Sequence, residues 1–365
     1  MTSPHAPTTV SPPTFPLATR ITARAAGALT SLPPAVLRLF GQPTNTDGDT
    51  LDADVRASLL ALKVVSGEDF VDLEPPAGRT IIDHEAHLGA LTYMQVGSVT
   101  ESLVDGVRVR HYHPARRGGT APESEEMPTL IYMHGGGWVL GSLNSHDSTC
   151  RWICAKAEVA VISVDYRLAP EAPFPAGLVD VTAVASAALS GKIPGVDRHR
   201  VAVGGDSAGG NLAAALCLRL RDEGKALPRL QMLFVPATDL RTLDTASHRE
   251  FAKDYFLTAK HMRWYREHYT PNEDDRDSPY VSPLAAQDLS GLPAAYVAVA
   301  GFDPLRDEGE EYARRMRDAG VLVRLRRHPG LVHPFVNSTG VWRGARAALD
   351  EAVGALRLGL GVVTP

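Results

Sequence analysis

Hydrophobic positions follow two different periods along the chain. Up to about residue 85, apolar residues recur every three or four positions, as in PPAVLRLF and LDADVRASLLALKVV, and this spacing predicts helices. Beyond residue 85, short runs of consecutive apolar and β-branched residues predominate, which is typical of buried strands. The runs are VRVRHYHPA, TLIYMHGG, VAVISVDYR, RVAVGGDS, LQMLFVPATD, AAYVAVAGFD and VLVRLRRHPG.

Helix-like segments, such as GLVDVTAVASAALSG and DEGEEYARRMRDAG, separate most of these runs. The alternation predicts an α/β fold with a mostly parallel sheet covered by helices on both faces. One interruption breaks it, because about residues 243–285 contain a helical, aromatic-bearing segment before the next strand. We expect this insertion to lie above the sheet.

The first residues have a different composition from the rest of the chain. Residues 1–16 are rich in Pro, Thr and Ser and lack an apolar core, which predicts a disordered tail and not a secretory signal. No run approaches the roughly 20 apolar residues of a membrane span. The expected organisation is therefore a tail over 1–16, a helical segment over 17–85, and a main domain over 86–365 that carries the insertion.

Composition and charge restrict the function classes. The 365 residues are 44% hydrophobic, enough for a large core, and 37 Lys+Arg against 42 Asp+Glu argue against a nucleic-acid partner. The three cysteines, Cys150, Cys154 and Cys217, make no disulfide framework and indicate a reducing, cytoplasmic location. Cys150 and Cys154 fall one helical turn apart without a second Cys/His pair nearby, so we expect buried apolar packing and no metal site.

A nucleophile candidate follows one of the predicted strands. RVAVGG leads directly into Asp206-Ser207-Ala208-Gly209-Gly210, and an Ala-rich helix comes next. Gly-x-Ser-x-Gly at a strand-to-helix turn is the nucleophile elbow, in which the glycines permit a sharp turn that exposes the serine hydroxyl. A serine that only caps the helix is the alternative. The strand before Ser207 and the helix after it favour the nucleophile.

A serine nucleophile needs a base and a carboxylate that orients the base, in the chain order Ser, Asp, His for such a fold. Asp303 directly follows a strand, whereas Asp307 falls in a first helical turn, where an acidic residue has a structural role. His328 lies at a strand end, and His333 lies in the loop before the last helix. We predict Asp303 as the acid and His333 as the base.

The glycine run in IYMHGGGWVLG, residues 131–141, fits the same chemistry. Attack on an ester carbonyl creates an oxyanion, and backbone N–H groups reach it only where no Cβ intervenes. We assign the amides of Gly136 and Gly137, together with that of Ala208. A phosphate-binding loop is the alternative, but its glycine spacing and its lysine are missing. His134 precedes all the other elements and is expected to pin the loop through hydrogen bonds.

Five motifs together resemble the bacterial hormone-sensitive-lipase-like esterases, which are α/β-hydrolases with a helical cap. They are HGGGW, YRLAPE (166–171), GDSAGGN (205–211), DPLRDEG (303–309) and GLVHPF (330–335), and the resemblance covers about residues 85–355. It implies the same triad and oxyanion hole, and a cap built from the N-terminal helices and the insertion. Pro334 departs from the family, which usually has a small residue there, and stiffens the loop after His333.

The resemblance implies a carboxylic ester hydrolase that forms an acyl-serine and needs no metal or organic cofactor. An amidase or acyltransferase with the same triad is one alternative. A non-catalytic small-molecule binder is another, similar to the plant gibberellin receptors, which lack the catalytic histidine that His333 represents here. A small ester is the expected partner, with no nucleic acid and no stable membrane association, and a homodimer stays open.

The insertion carries five aromatic residues that suit a closed pocket because they combine apolar area with polar groups. They are Phe251, Tyr255, Phe256, Trp264 and Tyr265. Most of them are expected to pack the cap onto the main domain. Neither cap segment shows a long apolar face that would adsorb to lipid. The expected substrates are therefore soluble esters with short to medium acyl chains.

Overall fold

The computed structural model describes residues 8–65, 69–91, 93–115 and 126–362. Within these residues, one sheet forms the centre of the molecule, with the strand order β1-β2-β3-β5-β4-β6-β7-β8-β9. The strands are β1 (Thr8–Thr9), β2 (Ser98–Val104), β3 (Val107–His113), β4 (Met127–Met133), β5 (Ala160–Val164), β6 (Val196–Asp206), β7 (Leu230–Phe234), β8 (Ala294–Phe302) and β9 (Val323–Val332). All pairs from β5 to β9 along this order are parallel, as the alternation of strands and helices predicts.

Helices cover both faces of the sheet. They are α1 (Leu17–Thr30), α2 (Pro34–Leu37), α3 (Ala53–Val65), α4 (Pro75–Ala90), α5 (Asp147–Ala157), α6 (Ala176–Leu189), α7 (Ala208–Asp222), α8 (Ala246–Glu250), α9 (Ala259–Tyr269), α10 (Arg306–Asp318) and α11 (Arg343–Leu360). One face packs on α6, α7 and α10, and the other on α5 and α11. Neighbouring residues of a strand point to opposite faces, so Leu130 and Ile131 of β4 enter different cores. Burial on both sides explains why the strands are continuous apolar runs.

At the antiparallel edge of the sheet, the sequence predicted β3 but not β2. β2 and β3 form a hairpin in which Val104 pairs with Val107. Asp105 and Gly106 make its two-residue turn with φ of 46° and 84°. Asp-Gly is favoured in such turns because both positions need positive φ. The strand β2 has partly exposed residues, so its sequence lacks the continuous apolar run of the buried strands.

Residues 8–16 differ from the disordered tail expected there. β1 pairs with β2 at the edge of the sheet, and Phe15 stacks on His87 with ring centroids 3.9 Å apart. The expectation followed from composition alone. Composition cannot show that an open sheet edge offers backbone groups with which a further strand can pair. Residues 8–16 thus lie against the sheet edge and α4 in the described structure, and residues 1–7 lie outside the described residues.

The two segments expected to form a cap, 17–85 and 243–285, contact each other. Phe70 lies against His261 and Tyr265, with ring centroids 4.6 and 5.7 Å away. Lys260 Nζ lies 2.8 Å from Asp72 Oδ1. The N-terminal segment also packs on the main domain, because residues of α3 share a core cluster with residues of β9 and α11. Its last helix, α4, extends beyond the expected boundary, to Ala90.

Candidate active site

Ser207 occupies a sharp turn between β6 and α7. Its φ of 56° and ψ of −117° are unusual for a residue with a side chain. A Cβ at Gly205 or at Gly209 would overlap with the carbonyl oxygen of Met133. Both glycines of the Gly-x-Ser-x-Gly pattern are therefore required by close packing, and the turn has the geometry of a nucleophile elbow.

The three residues predicted as a triad lie in one hydrogen-bonded chain. His333 Nε2 is 3.0 Å from Ser207 Oγ, and His333 Nδ1 is 3.0 Å from Asp303 Oδ2. The N–H of Leu305 donates to the other oxygen of Asp303 at 2.9 Å. Asp303 is fully buried, and His333 is 4% exposed. The two residues follow β8 and β9 directly, so the sheet itself brings them to Ser207.

The two alternatives weighed against these residues lie elsewhere. Asp307 accepts a hydrogen bond from the N–H of Ser247 at 2.8 Å and another from Arg306. It therefore holds the insertion against the start of α10. His328 lies within β9 and packs edge-on against Phe335, with ring centroids 5.4 Å apart. The structure brings neither side chain into a hydrogen bond with Ser207.

The glycine loop after β4 has a backbone that other residues would not adopt. Gly136 and Gly137 have φ of 118° and 60°. A Cβ at Gly136 would overlap with the carbonyl of Leu140, and one at Gly137 with the ring of Tyr265. Among the hydrogen bonds of the described residues, the amides of Gly136, Gly137 and Ala208 donate to no protein acceptor. They are free to donate to a substrate oxygen.

His134 supports this loop from below. Its Nδ1 lies 2.8 Å from the carbonyl oxygen of Gly135, and the hydroxyl of Tyr166 donates to the carbonyl of His134 at 2.8 Å. Burial, together with His146, lowers the pKa of His134 to about 3. The imidazole is therefore neutral, and its contacts agree with the predicted role in fixing the loop.

A second histidine, His146, joins three parts of the site. Its Nε2 lies 3.2 Å from Asp206 Oδ2, 3.3 Å from the nitrogen of Gly135 and 3.0 Å from Asn337 Nδ2. Burial alone would raise the pKa of Asp206, but His146 and the hydroxyl of Tyr132 outweigh it and the pKa is lowered. The sequence carried no signal for His146, because its partners are distant along the chain.

A small cavity of about 40 Å³ opens beside Ser207. Apolar side chains from the insertion contribute to its lining, among them Leu243, Leu257 and Met262. Tyr265 is the one member of the predicted aromatic set that borders this cavity. Other members pack elsewhere in the described fold, for example Phe251 against Phe302.

The described residues form neither a metal cluster nor a membrane-spanning helix. Within them, no group of three or more His, Cys, Asp or Glu residues is placed to hold a metal ion. The thiols of Cys150, Cys154 and Cys217 are free and buried. In the described ranges, no helix is both long and apolar enough to cross a bilayer.

Comparison with known proteins places the chain in a family. The profile of a family described as having an alpha/beta hydrolase fold matches residues 130–337. The carboxylic ester hydrolase LipN of Mycobacterium tuberculosis is 40% identical over 343 residues, which cover 88% of this chain and 87% of LipN. The ethyl acetate hydrolase of Pseudomonas putida is 38% identical over 230 residues, covering 62% and 72% of the two chains.

Solved structures agree with these matches. An ester hydrolase from the metagenome of Lake Arreo, solved with a derivative of bipyridine phosphonate, superposes with a TM-score of 0.81. It is 38% identical, and the match covers 86% of this chain and all of the other. The chain belongs to the α/β-hydrolase family, among its hormone-sensitive-lipase-like esterases. The predicted fold class and the resemblance are thereby confirmed.

Proposed function

We propose that this esterase hydrolyses soluble carboxylic esters with short to medium acyl chains through an acyl-enzyme on Ser207. The observation that carries the proposal is the chain of two 3.0 Å contacts from Asp303 through His333 to Ser207, which ends at the cavity. In this arrangement a base adjoins the nucleophile and a buried carboxylate orients the base.

The geometry supports a two-step reaction. His333 Nε2 accepts the proton of Ser207 Oγ while the oxygen attacks the ester carbonyl carbon, and Asp303 stabilises the imidazolium that forms. The free amides of Gly136, Gly137 and Ala208 are proposed to bind the oxyanion. When the tetrahedral intermediate collapses, His333 returns the proton to the departing alcohol. Water then attacks the acyl-serine by the same route and releases the carboxylic acid.

The cavity supports the short end of the substrate range. Its volume is only about 40 Å³, which leaves little room for a long acyl chain. An acetyl or propionyl group suits this space, and a longer chain requires movement of the proposed cap, residues 17–85 with 243–285. The similarity to an ethyl acetate hydrolase supports the same preference.

A panel of 4-nitrophenyl esters from acetate to palmitate tests the proposal. We expect kcat/KM to peak among the short to medium chains, to fall beyond them, and to depend on Ser207, with Ser207→Ala as the control. A kcat/KM that rises steadily up to long-chain triglycerides, with a sudden gain in rate upon emulsification, would contradict the proposal. An anilide substrate and an added alcohol acceptor distinguish the amidase and acyltransferase alternatives, which predict faster amide cleavage or acyl transfer.

We also propose a cytoplasmic location. All three cysteines are buried free thiols. Proteins of oxidising compartments more often hold their cysteines in disulfides, so free thiols favour a reducing compartment. Fractionation of cells that express the natural gene, followed by detection with an antibody, checks this location. Recovery from the medium or from a washed membrane fraction would contradict it.

A further inference from the structure

Arg266, on α9, lines the same cavity as Ser207, and no carboxylate of the described residues forms an ion pair with it, although Glu267 and Glu273 act on its charge from further away. Its side chain is half-buried, and its Nε is buried without a hydrogen-bond partner. Its one side-chain hydrogen bond within the described structure is a long one, 3.5 Å from Nη1 to the carbonyl of Leu240. A guanidinium has five N–H donors, and a buried donor left unpaired is destabilising. The side chain is therefore poorly satisfied by the protein alone.

The two carboxylates that line the cavity are already engaged by other groups. Asp239 binds Arg241 through contacts of 2.9 and 2.7 Å. Glu308 accepts hydrogen bonds from two backbone N–H groups, at 2.6 and 3.2 Å, and its second oxygen lies 3.2 Å from His248 Nε2. Burial raises the pKa of Glu308. Neither carboxylate lies within ion-pair distance of Arg266 in the described structure.

We propose that Arg266 binds a carboxylate of the substrate, so that the preferred esters carry a carboxylate a few bonds from the scissile carbonyl. A guanidinium matches a carboxylate through two parallel N–H···O bonds, which a single amide cannot reproduce. The apolar lining from Leu243, Leu257 and Met262 would contact the carbon chain between the two ends. This inference rests on the proposed ester hydrolysis and names its substrate class.

The carboxylate can belong to the acyl or to the alcohol part of the ester, and paired substrates distinguish the two. Monoethyl succinate and its neutral isostere ethyl succinamate test the acyl side. Acetoxyacetate and acetoxyacetamide test the alcohol side. The measured quantity is the ratio of kcat/KM for the anion to that for its neutral isostere, in the wild type and in Arg266→Gln, Arg266→Lys and Arg263→Gln.

We expect a ratio of about ten or more in one of the two pairs, the range for a hydrogen bond to a charged group. Arg266→Gln should lower the ratio to about one or below. Arg266→Lys should retain part of it, because the charge remains and the planar fork is lost. Arg263 lies on the same helix with an exposed side chain, so Arg263→Gln is the matched control and should keep the wild-type ratio.

Ratios at or below one in both pairs, or a ratio unchanged in Arg266→Gln, would overturn the inference. Succinate inhibition of the wild type provides a measurement that needs no variant. It should be competitive and should weaken as salt screens the charges, and inhibition no stronger than that by succinamide would also count against the idea. A wild type that hydrolyses the anionic esters no faster than their neutral isosteres refutes this inference but leaves the proposed function standing. Absence of hydrolysis with every ester refutes the proposed function itself.

Discussion

His146 Nε2 lies 3.2 Å from Asp206 Oδ2, and the same nitrogen is 3.3 Å from the backbone nitrogen of Gly135. Asp206 directly precedes the nucleophile, and Gly135 directly precedes the two glycines assigned to the oxyanion hole. One buried imidazole thus fixes the distance between the serine turn and the glycine loop. In the proposed mechanism the substrate oxygen contacts both elements at once, so this distance should affect catalysis directly.

His146→Ala should therefore impair turnover more than binding. We expect kcat to fall roughly 10- to 100-fold, since misplacement near 1 Å has costs of this order, while KM changes little. Steady-state kinetics on a short-chain ester measures both parameters. His199 is exposed and serves as a control histidine, with His199→Ala retaining wild-type kinetics. A folded His146→Ala enzyme with normal kcat would show that the imidazole has no positioning role.

Gly137 lies against the ring of Tyr265, and this contact allows a test of the oxyanion loop. A Cβ at Gly137 would overlap with that ring, so Gly137→Ala should displace the loop and lower kcat by about 10²–10³. Removal of the ring in the double variant Gly137→Ala/Tyr265→Ala should restore at least about tenfold of the loss, because only a left-handed φ of 60° then remains strained.

Gly136→Ala is the comparison for this pair. A Cβ there would overlap with the backbone of Leu140, which no side-chain deletion removes. Tyr265→Ala should therefore not rescue Gly136→Ala. Equal rescue of both glycine variants, measured as kcat on the same ester, would show that the overlap with Tyr265 does not explain the defect.

Leu257 borders the cavity beside Ser207, and we expect it to limit the length of the acyl chain. It is 8% exposed, and Leu257→Ala removes three carbons from the lining. The preferred acyl chain should lengthen by about two carbons, and each methylene that newly fits should improve kcat/KM by up to about fourfold. The ester panel measures this shift. Leu358→Ala, at a leucine that is 83% exposed, should leave the optimum where it is. An unchanged optimum in Leu257→Ala would separate this cavity from the acyl site.

Asp52 provides a pH-dependent test of stability. Burial raises the pKa of Asp52 to about 6, with a further contribution from Asp54. The unfolded chain ionises this carboxyl at a lower pH than the folded protein, so the native state loses stability as the pH rises from about 4 through 6. Asp52→Asn removes this loss and places before α3 a residue type that is favoured at helix N-termini.

The gain in free energy of unfolding from Asp52→Asn over the wild type should be smaller near pH 4.5 than at pH 8. The gain at pH 8 should be about 1–2 kcal/mol, after a discount for the partial exposure of the carboxyl. Urea denaturation at the two pH values measures the difference. A gain of the same size at both pH values would mean that the charge of Asp52 is not its cause.

Much of the fold was predictable because its signals are local. Buried strands such as β4 read as continuous apolar runs, and Ser207, Asp303 and His333 each follow a strand in the order that the fold requires. The structure brings these three side chains together, and their catalytic roles stay predictions. β2 escaped prediction because its residues are only partly buried, although Asp105-Gly106 marks its turn.

Other parts depend on partners that only the folded chain brings close. The contacts of His146 come from three separate parts of the chain, at Gly135, Asp206 and Asn337, so no spacing in the sequence predicts them. Whether Arg266 has a counter-ion likewise depends on which carboxylates other groups have engaged. Residues 8–16 contact an open sheet edge and the ring of His87. A composition rich in Pro and Thr gives no information about either contact.

The rate at which an organophosphonate labels the protein tests the central claim most directly, because it reports the reactivity of one serine independently of substrate binding. The account predicts one label per chain, located on Ser207 by peptide mass analysis. His333→Ala should slow labelling by at least about 10³-fold, since the base and the nucleophile act as a unit. His328→Ala, which removes the other candidate base, should label at nearly the wild-type rate. A label on another residue, or undiminished labelling in His333→Ala, would contradict the account.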